Sequence, residues 1–246
     1  MESLALLATV PGSSAALAAA ASAAGLDAPV PSCPGWTAEK LLSHAGSVLR
    51  FVGKVVETGG PFDPKTLPRP PVGGLVIQWF EEMATTTVDA LAAKAPDDEL
   101  WNWAGQPPVA AFWHRRMAHE LAIHAADAAL AAGQEPNIES RLAVNGLDEL
   151  LTVLLPVKAR AGGTDFSGVG TIHVHCTDTG PDDPPGEWLV APTGTGVEVT
   201  RAHARADVAL RGPAAQLLLR LSHRGGGGEV LGDDAVLAAF SERFSF

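Results

Sequence analysis

The residues best suited to chemistry lie in the run Trp113-His-Arg-Arg-Met-Ala-His-Glu-Leu-Ala-Ile-His-Ala-Ala-Asp127. Glu120 and His124 stand four apart in a helix-forming stretch, so they share one face and can reach a single ion. Catalytic zinc commonly takes three protein donors from His and Asp/Glu and leaves a fourth position open. His44, in Trp36-Thr-Ala-Glu-Lys-Leu-Leu-Ser-His-Ala-Gly46, is the candidate third ligand. Leu41, Val48 and Phe51 fall on its helical face, which predicts a buried imidazole among apolar neighbours, and such a group needs polar partners. A zincin reading fails on spacing. His119 and His124 are five apart, a net rotation of about 140° at 3.6 residues per turn, whereas the protease motif needs its two histidines at i and i+4. The plainer alternative is a core helix in which Glu120 pairs with Arg116 and His124 is only hydrogen-bonded.

Asp127 is one turn beyond His124. It could orient a ligand imidazole or form a surface ion pair. His173 and His175 alternate on a predicted strand and point to one face, but no acidic residue is close in sequence, so they are expected to face solvent. Cys33 and Cys176 fall in different predicted domains with no second cysteine near either, which indicates neither a zinc ribbon nor a disulfide framework. Cys33, before a helix start, is expected to be a packed residue rather than a nucleophile. The Gly225 to Gly228 run reads as a flexible turn, with neither a dinucleotide-site spacing nor a P-loop ending.

Four helices must position the first group. The sequence predicts helices over residues 3–25, closed by Gly25; 38–57, capped by Thr37 with Glu39 in its first turn and ended by Gly59-Gly60-Pro61; 75–94, stopped before Pro96; and 110–132, ended at Gly133. Residues 62–71 hold four prolines and are read as a crossover loop or a lid. Helices two and four would carry the ligands inside a bundle. After a linker helix over 141–159 the periodicity shifts toward two, predicting strands near 170–177, 187–190, 196–200 and 206–210, with helices over 214–222 and 234–242. The fold class is α+β, a bundle over residues 1–136 and a smaller α/β domain over 137–246.

The segment Val30-Pro-Ser-Cys-Pro-Gly-Trp36, the helix carrying His44, and Trp113-x-Arg-Arg-x-x-x-Glu120-x-x-x-His124-x-x-Asp127 together resemble the maleylpyruvate isomerase family of mycothiol-dependent, DinB-like enzymes. The resemblance implies a DinB-like four-helix bundle with zinc on His44, Glu120 and His124, and a C-terminal domain that completes the thiol and substrate pocket. It also implies mycothiol as cosubstrate and a small-molecule electrophile. The mycothiol sulfur would add to the double bond of maleylpyruvate, the new single bond would rotate, and thiol would depart to leave fumarylpyruvate. Addition without elimination would be S-transfer, and the sequence does not separate the two. A looser match over Ala206 to Arg224 implies a pocket role for Arg224, with Arg211 and Arg220 as competitors. The family often ends that helix in Gly-Arg where this chain has His223-Arg224. A zinc hydrolase with Asp127 as base and a non-catalytic binding or regulatory protein are the other readings. Nickel, iron or copper could fill the same donor set.

Composition limits the partners. A net charge of −11 and no basic run argue against nucleic acid. The Ala-rich stretch 15–24 follows an acidic start, Met1-Glu-Ser, and lacks a signal peptide's positive n-region. No apolar run is expected to approach the roughly 20 residues of a membrane span, so the chain is read as cytoplasmic. Abundant Ala, Gly, Pro, Val and Arg with no tyrosine suggest a GC-rich genome, which suits a mycothiol-making actinobacterium.

Overall fold

The computed structural model describes residues 1–162, 166–180, 183, 185–193 and 196–244. It divides into two compact units, Met1–Asn137 and Ile138–Phe246.

The first unit is built on α1 (Ser3–Leu7), α2 (Val10–Ala24), α3 (Ala38–Thr58), α4 (Leu75–Ala92) and α5 (Ala110–Ala131). The first predicted helix is thus two. Pro11 has no N–H to give and its ring crowds the carbonyl four residues back, while Thr9 Oγ1 turns to donate to Leu6 O at 2.8 Å. Ser3–Ala24 is, by length and hydropathy alone, apolar enough to cross a membrane, which corrects the expectation that no run comes near that length. Within the fold one side of it is core: Val10, Leu17 and Ala21 are fully buried and α2 packs on α5, while Leu4 is exposed.

Alanines on both helices, among them Ala18 and Ala21 on α2 and Ala118, Ala122 and Ala126 on α5, are buried and let the two backbones approach. α5 has thirteen of its residues buried, so a charged side chain on that buried face must find partners inside the bundle. α3 packs on both α4 and α5. Thr37 caps α3 by accepting from Lys40 N, and Gly59 ends it with φ of 71°, a left-handed conformation that costs glycine little. At the α3–α4 contact, Gly46 lies under the Trp79 ring, which in turn carries the Arg50 guanidinium 4.7 Å from its centroid. The proline-rich connection is pinned to α3: Phe62 meets Phe51 at 5.2 Å between centroids, and Arg50 Nη1 donates to Pro68 O at 2.8 Å.

The second unit is a five-stranded sheet ordered β3-β2-β1-β4-β5, from β1 (Ile172–Cys176), β2 (Glu187–Thr193), β3 (Gly196–Thr200), β4 (Val208–Gly212) and β5 (Glu229–Gly232), with α6 (Ser140–Glu149), α7 (Leu155–Gly162), α8 (Ala214–Leu221) and α9 (Asp234–Arg243). Only β1 and β4 pair in parallel; the other neighbours are antiparallel. The linker helix is interrupted by a π-helical turn at Leu150–Leu154. β5 was not foreseen, because four residues ending in glycine after a glycine run carry almost no strand signal. In the glycine run read as a flexible turn, Gly226 adopts φ of 74° close against α8, where an added Cβ would clash with Gln216 O.

Candidate metal centre

α3 and α5 bring His44, Glu120 and His124 together, with one potential ligand atom from each within 4.8 Å of the others. Glu120 Oε1 is the shared point, 3.3 Å from His44 Nε2 and 3.2 Å from His124 Nε2. The two imidazoles meet nearly edge to face, with centroids 5.0 Å apart at 81°. Glu120's other oxygen, Oε2, accepts from Arg116 Nη2 at 2.6 Å. The Arg116 pairing foreseen as an alternative therefore coexists with the cluster, one oxygen serving each. His119 is buried on α5 but does not belong to this group, as its spacing requires.

Asp127 lies against His124 rather than at the surface. Its side chain is fully buried, and Oδ2 lies 2.8 Å from His124 Nδ1. The turn that begins at Val30 explains why. Val30 N donates to Trp36 O and Trp36 N to Cys33 O, a tight fold that sets Ser32 Oγ 2.5 Å from Asp127 Oδ1 and the Cys33 thiol 3.7 Å from Oδ2. Cys33, intermediate in burial, thus has its thiol beside a carboxylate.

Electrostatics follow from these contacts. Burial would push the Glu120 carboxyl up, but His124, His44 and Arg116 together hold it well below the usual carboxylate range. Burial would likewise lower His124, yet Glu120 and Asp127 raise it to about 9. The carboxylate is ionised and His124 carries a proton at neutral pH, a charge arrangement in which a divalent cation can replace that proton.

His44 departs from its expected burial. Its side chain is 40% exposed, because it stands beside a cavity of about 340 Å³ lined by His44, Phe51, Trp103, Trp113, Met117 and Glu120 together with Ser47, Val48 and Arg116. Two wall residues, Trp103 and Trp113, were not singled out from the sequence for this role. Trp113 Nε1 donates to Trp101 O at 2.7 Å. Trp103 follows Asn102, whose amide ties the turn by accepting from Ala104 N and Gln106 N and donating to Gln106 O and Pro107 O. The two tryptophans of Trp101-Asn-Trp103 in a connecting segment were the available signal. The cavity gives the triad an apolar approach.

In the second unit, Arg224 lies in the turn after α8, and its Nη1 donates to Ser222 O at 2.5 Å. Arg220 donates to Gly228 O, and Arg211 is 3.8 Å from Glu229. The expectation for His173 and His175 is corrected. His173 is 5% exposed and its Nε2 lies 3.1 Å from Glu187 Oε2. Glu187 is fourteen residues away but directly opposite His175 in the β1–β2 register, so pairing supplies the acid that sequence proximity did not. Cys176 is buried, and burial with Asp178 and Glu187 pushes its thiol up to about 12.

A helical bundle presenting a His/Glu/His cluster beside an apolar cavity, with an α/β second unit, defines a class of two-unit proteins with a candidate metal centre in the bundle. Residues 8–129 match the family model described as the mycothiol maleylpyruvate isomerase N-terminal domain, and through this half the chain belongs to the maleylpyruvate isomerase family. Its fold is similar to two crystal structures of the mycothiol-dependent maleylpyruvate isomerase, one of them a histidine-to-alanine mutant. Each has a TM-score of 0.60 and 12% identity, with 94% of this chain and 93% of the other covered. No curated protein matches in sequence.

Proposed function

We propose that the protein is a zinc-dependent, mycothiol-using enzyme of the maleylpyruvate isomerase type, with His44, Glu120 and His124 as metal ligands. The observation that carries this reading is the convergence of both Nε2 atoms on Glu120 Oε1 at the wall of an apolar cavity. Two imidazoles and one carboxylate suit zinc by donor chemistry, and the buried ionised Glu120 fits a partner of positive charge. When bound, zinc would supply acidity to a thiol, favouring thiolate at neutral pH.

The chain's own residues supply the rest. Asp127 accepts from His124 Nδ1, which aims the opposite ring nitrogen at Glu120. Arg116 balances the Glu120 charge from the side of Oε2. Trp103, Trp113, Phe51 and Met117 give the approach apolar walls, and low-dielectric surroundings strengthen charge interactions. The net chemistry is thiol addition to an activated double bond, rotation, and thiol loss. S-transfer is the same addition without the loss. A carboxylate-binding role for Arg224 belongs to the same proposal, and Arg224→Met should raise KM for a dianionic substrate while zinc content stays unchanged.

The deciding experiment supplies mycothiol and maleylpyruvate to zinc-loaded protein and follows fumarylpyruvate, alongside His44→Ala and His124→Ala. Thiol-dependent product that both variants abolish supports the isomerase. A stable thioether from an electrophile, with no isomerisation, moves the assignment to S-transfer. Hydrolysis of a substrate without any thiol would instead identify a zinc hydrolase, and tight thiol binding without product would identify a binding protein.

A further inference from the structure

The second unit holds a cluster of its own. Successive strand residues alternate faces, so His173 and His175 share one face of β1, and Glu187, opposite His175 on β2, joins them there. His203, from the loop between β3 and β4, closes the group with Nδ1 2.5 Å from Glu187 Oε2. His173 Nε2 lies 3.1 Å from the same oxygen, and His175 Nε2 lies 3.6 Å from Oε1. The ring centroids of the three histidines are 5.4 to 6.1 Å apart. His203 stands nearly perpendicular to both of the others, at 87° and 88°.

We infer that His173, Glu187 and His203, with His175 as a fourth donor, form a transition-metal site that shares no residue with the bundle triad. One ligand atom from each of the first three lies within 4.8 Å of the others. A single carboxylate could be satisfied by one or two N–H donors. Here three imidazoles from two strand positions and a loop turn toward it, which is a donor set for a cation of intermediate softness. Imidazole and carboxylate favour zinc, nickel or copper over magnesium or calcium, and four protein donors are the hallmark of a structural rather than an open site. Such an ion would join β1, β2 and the loop. At one end of that loop Arg201 is bidentate on Asp148, which also accepts from Trp188 Nε1, and at the other Asp207 is held by Thr171. The ion therefore acts as a clip on the outer half of the sheet.

The test uses the full chain, purified without a histidine tag, stripped with a chelator and dialysed against micromolar free zinc before elemental analysis. Wild type is expected to hold two zinc ions per chain, His203→Ala one, His44→Ala/His124→Ala one, and the three changes combined none. His203 has a 79% exposed side chain, so its removal leaves the core intact, and Glu187→Gln provides an isosteric second probe expected to match it. Zinc should also raise the melting temperature of the His44→Ala/His124→Ala protein and fail to do so once His203→Ala is added. Two outcomes overturn the inference: wild-type zinc that is unchanged in both His203→Ala and Glu187→Gln, or a single ion per chain that His44→Ala/His124→Ala removes. The latter leaves the bundle proposal standing. A single ion lost only with His203→Ala does the reverse.

Discussion

Zinc uptake by the bundle triad should compete with a proton on His124. In the metal-free protein that imidazole titrates at about 9, so at pH 7 it is protonated, and a metal can take only a neutral ring's lone pair. Glu120, held well below the usual range, is already ionised and releases nothing. Binding at pH 7 therefore expels the His124 proton. The apparent association constant should rise about tenfold per pH unit and level off near pH 9. Between pH 7 and 9 that is about 50-fold, since half of the rings are still protonated at pH 9, or about 2.3 kcal/mol at about 1.36 kcal/mol per tenfold. Competition against a chelating indicator in the His203→Ala protein reads the affinity, and calorimetry in buffers of different ionisation enthalpy reads the proton. The same group sets the metal-free stability. Its folded pKa lies above the ordinary 6.5, so its contribution is full below pH 6.5 and is lost as pH rises through about 9. Chelator-treated protein should melt lower at pH 9.5 than at 6.5, and zinc-loaded protein should lack that particular loss. An affinity that is flat from pH 7 to 9, with no buffer-dependent heat at pH 7, would refute the reasoning.

Asp127→Asn removes the carboxylate on His124 Nδ1 and should lower zinc affinity about 10- to 100-fold with helicity unchanged, as read by competitive titration and circular dichroism. Arg116→Met leaves the buried Glu120 charge less compensated and should cost the metal-free protein about 1–3 kcal/mol in urea denaturation. Gly46→Ala would set a Cβ 2.4 Å from Trp79 Cζ3, and overpacking of this kind costs about 1–3 kcal/mol, measurable by the same titration. With its thiol pushed up to about 12, Cys176 should resist iodoacetamide in native protein at pH 8 and react once the chain is unfolded, which peptide mass mapping distinguishes.

Much of the bundle was legible because its signals are local. Thr37, Gly59 and Gly133 mark helix ends within a residue or two of where they fall, and the i, i+4 spacing of Glu120 and His124 fixes their common face. His44 is joined to them by an imidazole set among apolar neighbours and by the motif resemblance, since nothing in its own neighbourhood says which helix it meets. Its partial exposure escaped for a related reason: the apolar residues flanking it line a cavity, and sequence periodicity does not separate a cavity wall from packed core. The break before Pro11 follows from that residue's missing donor, which the reading of 3–25 as one Ala-rich helix leaves out of account. The sheet is where local signals gave out. β5 has too few residues to show alternation, and the acid beside His173 and His175 comes from a partner strand whose register no window of sequence reveals.

The divided labour of Glu120 bears on metal selectivity. With Oε2 held by Arg116 at 2.6 Å, only Oε1 faces the two histidines, so the carboxylate can offer a monodentate bond and not a chelate. Calcium, which seeks six to eight oxygens, would find too few here, whereas a small ion content with low coordination would retain vacant positions for exogenous ligands. Releasing Oε2 would thus do more than unbalance a charge: it would let the site drift toward higher coordination numbers and a broader choice of ion.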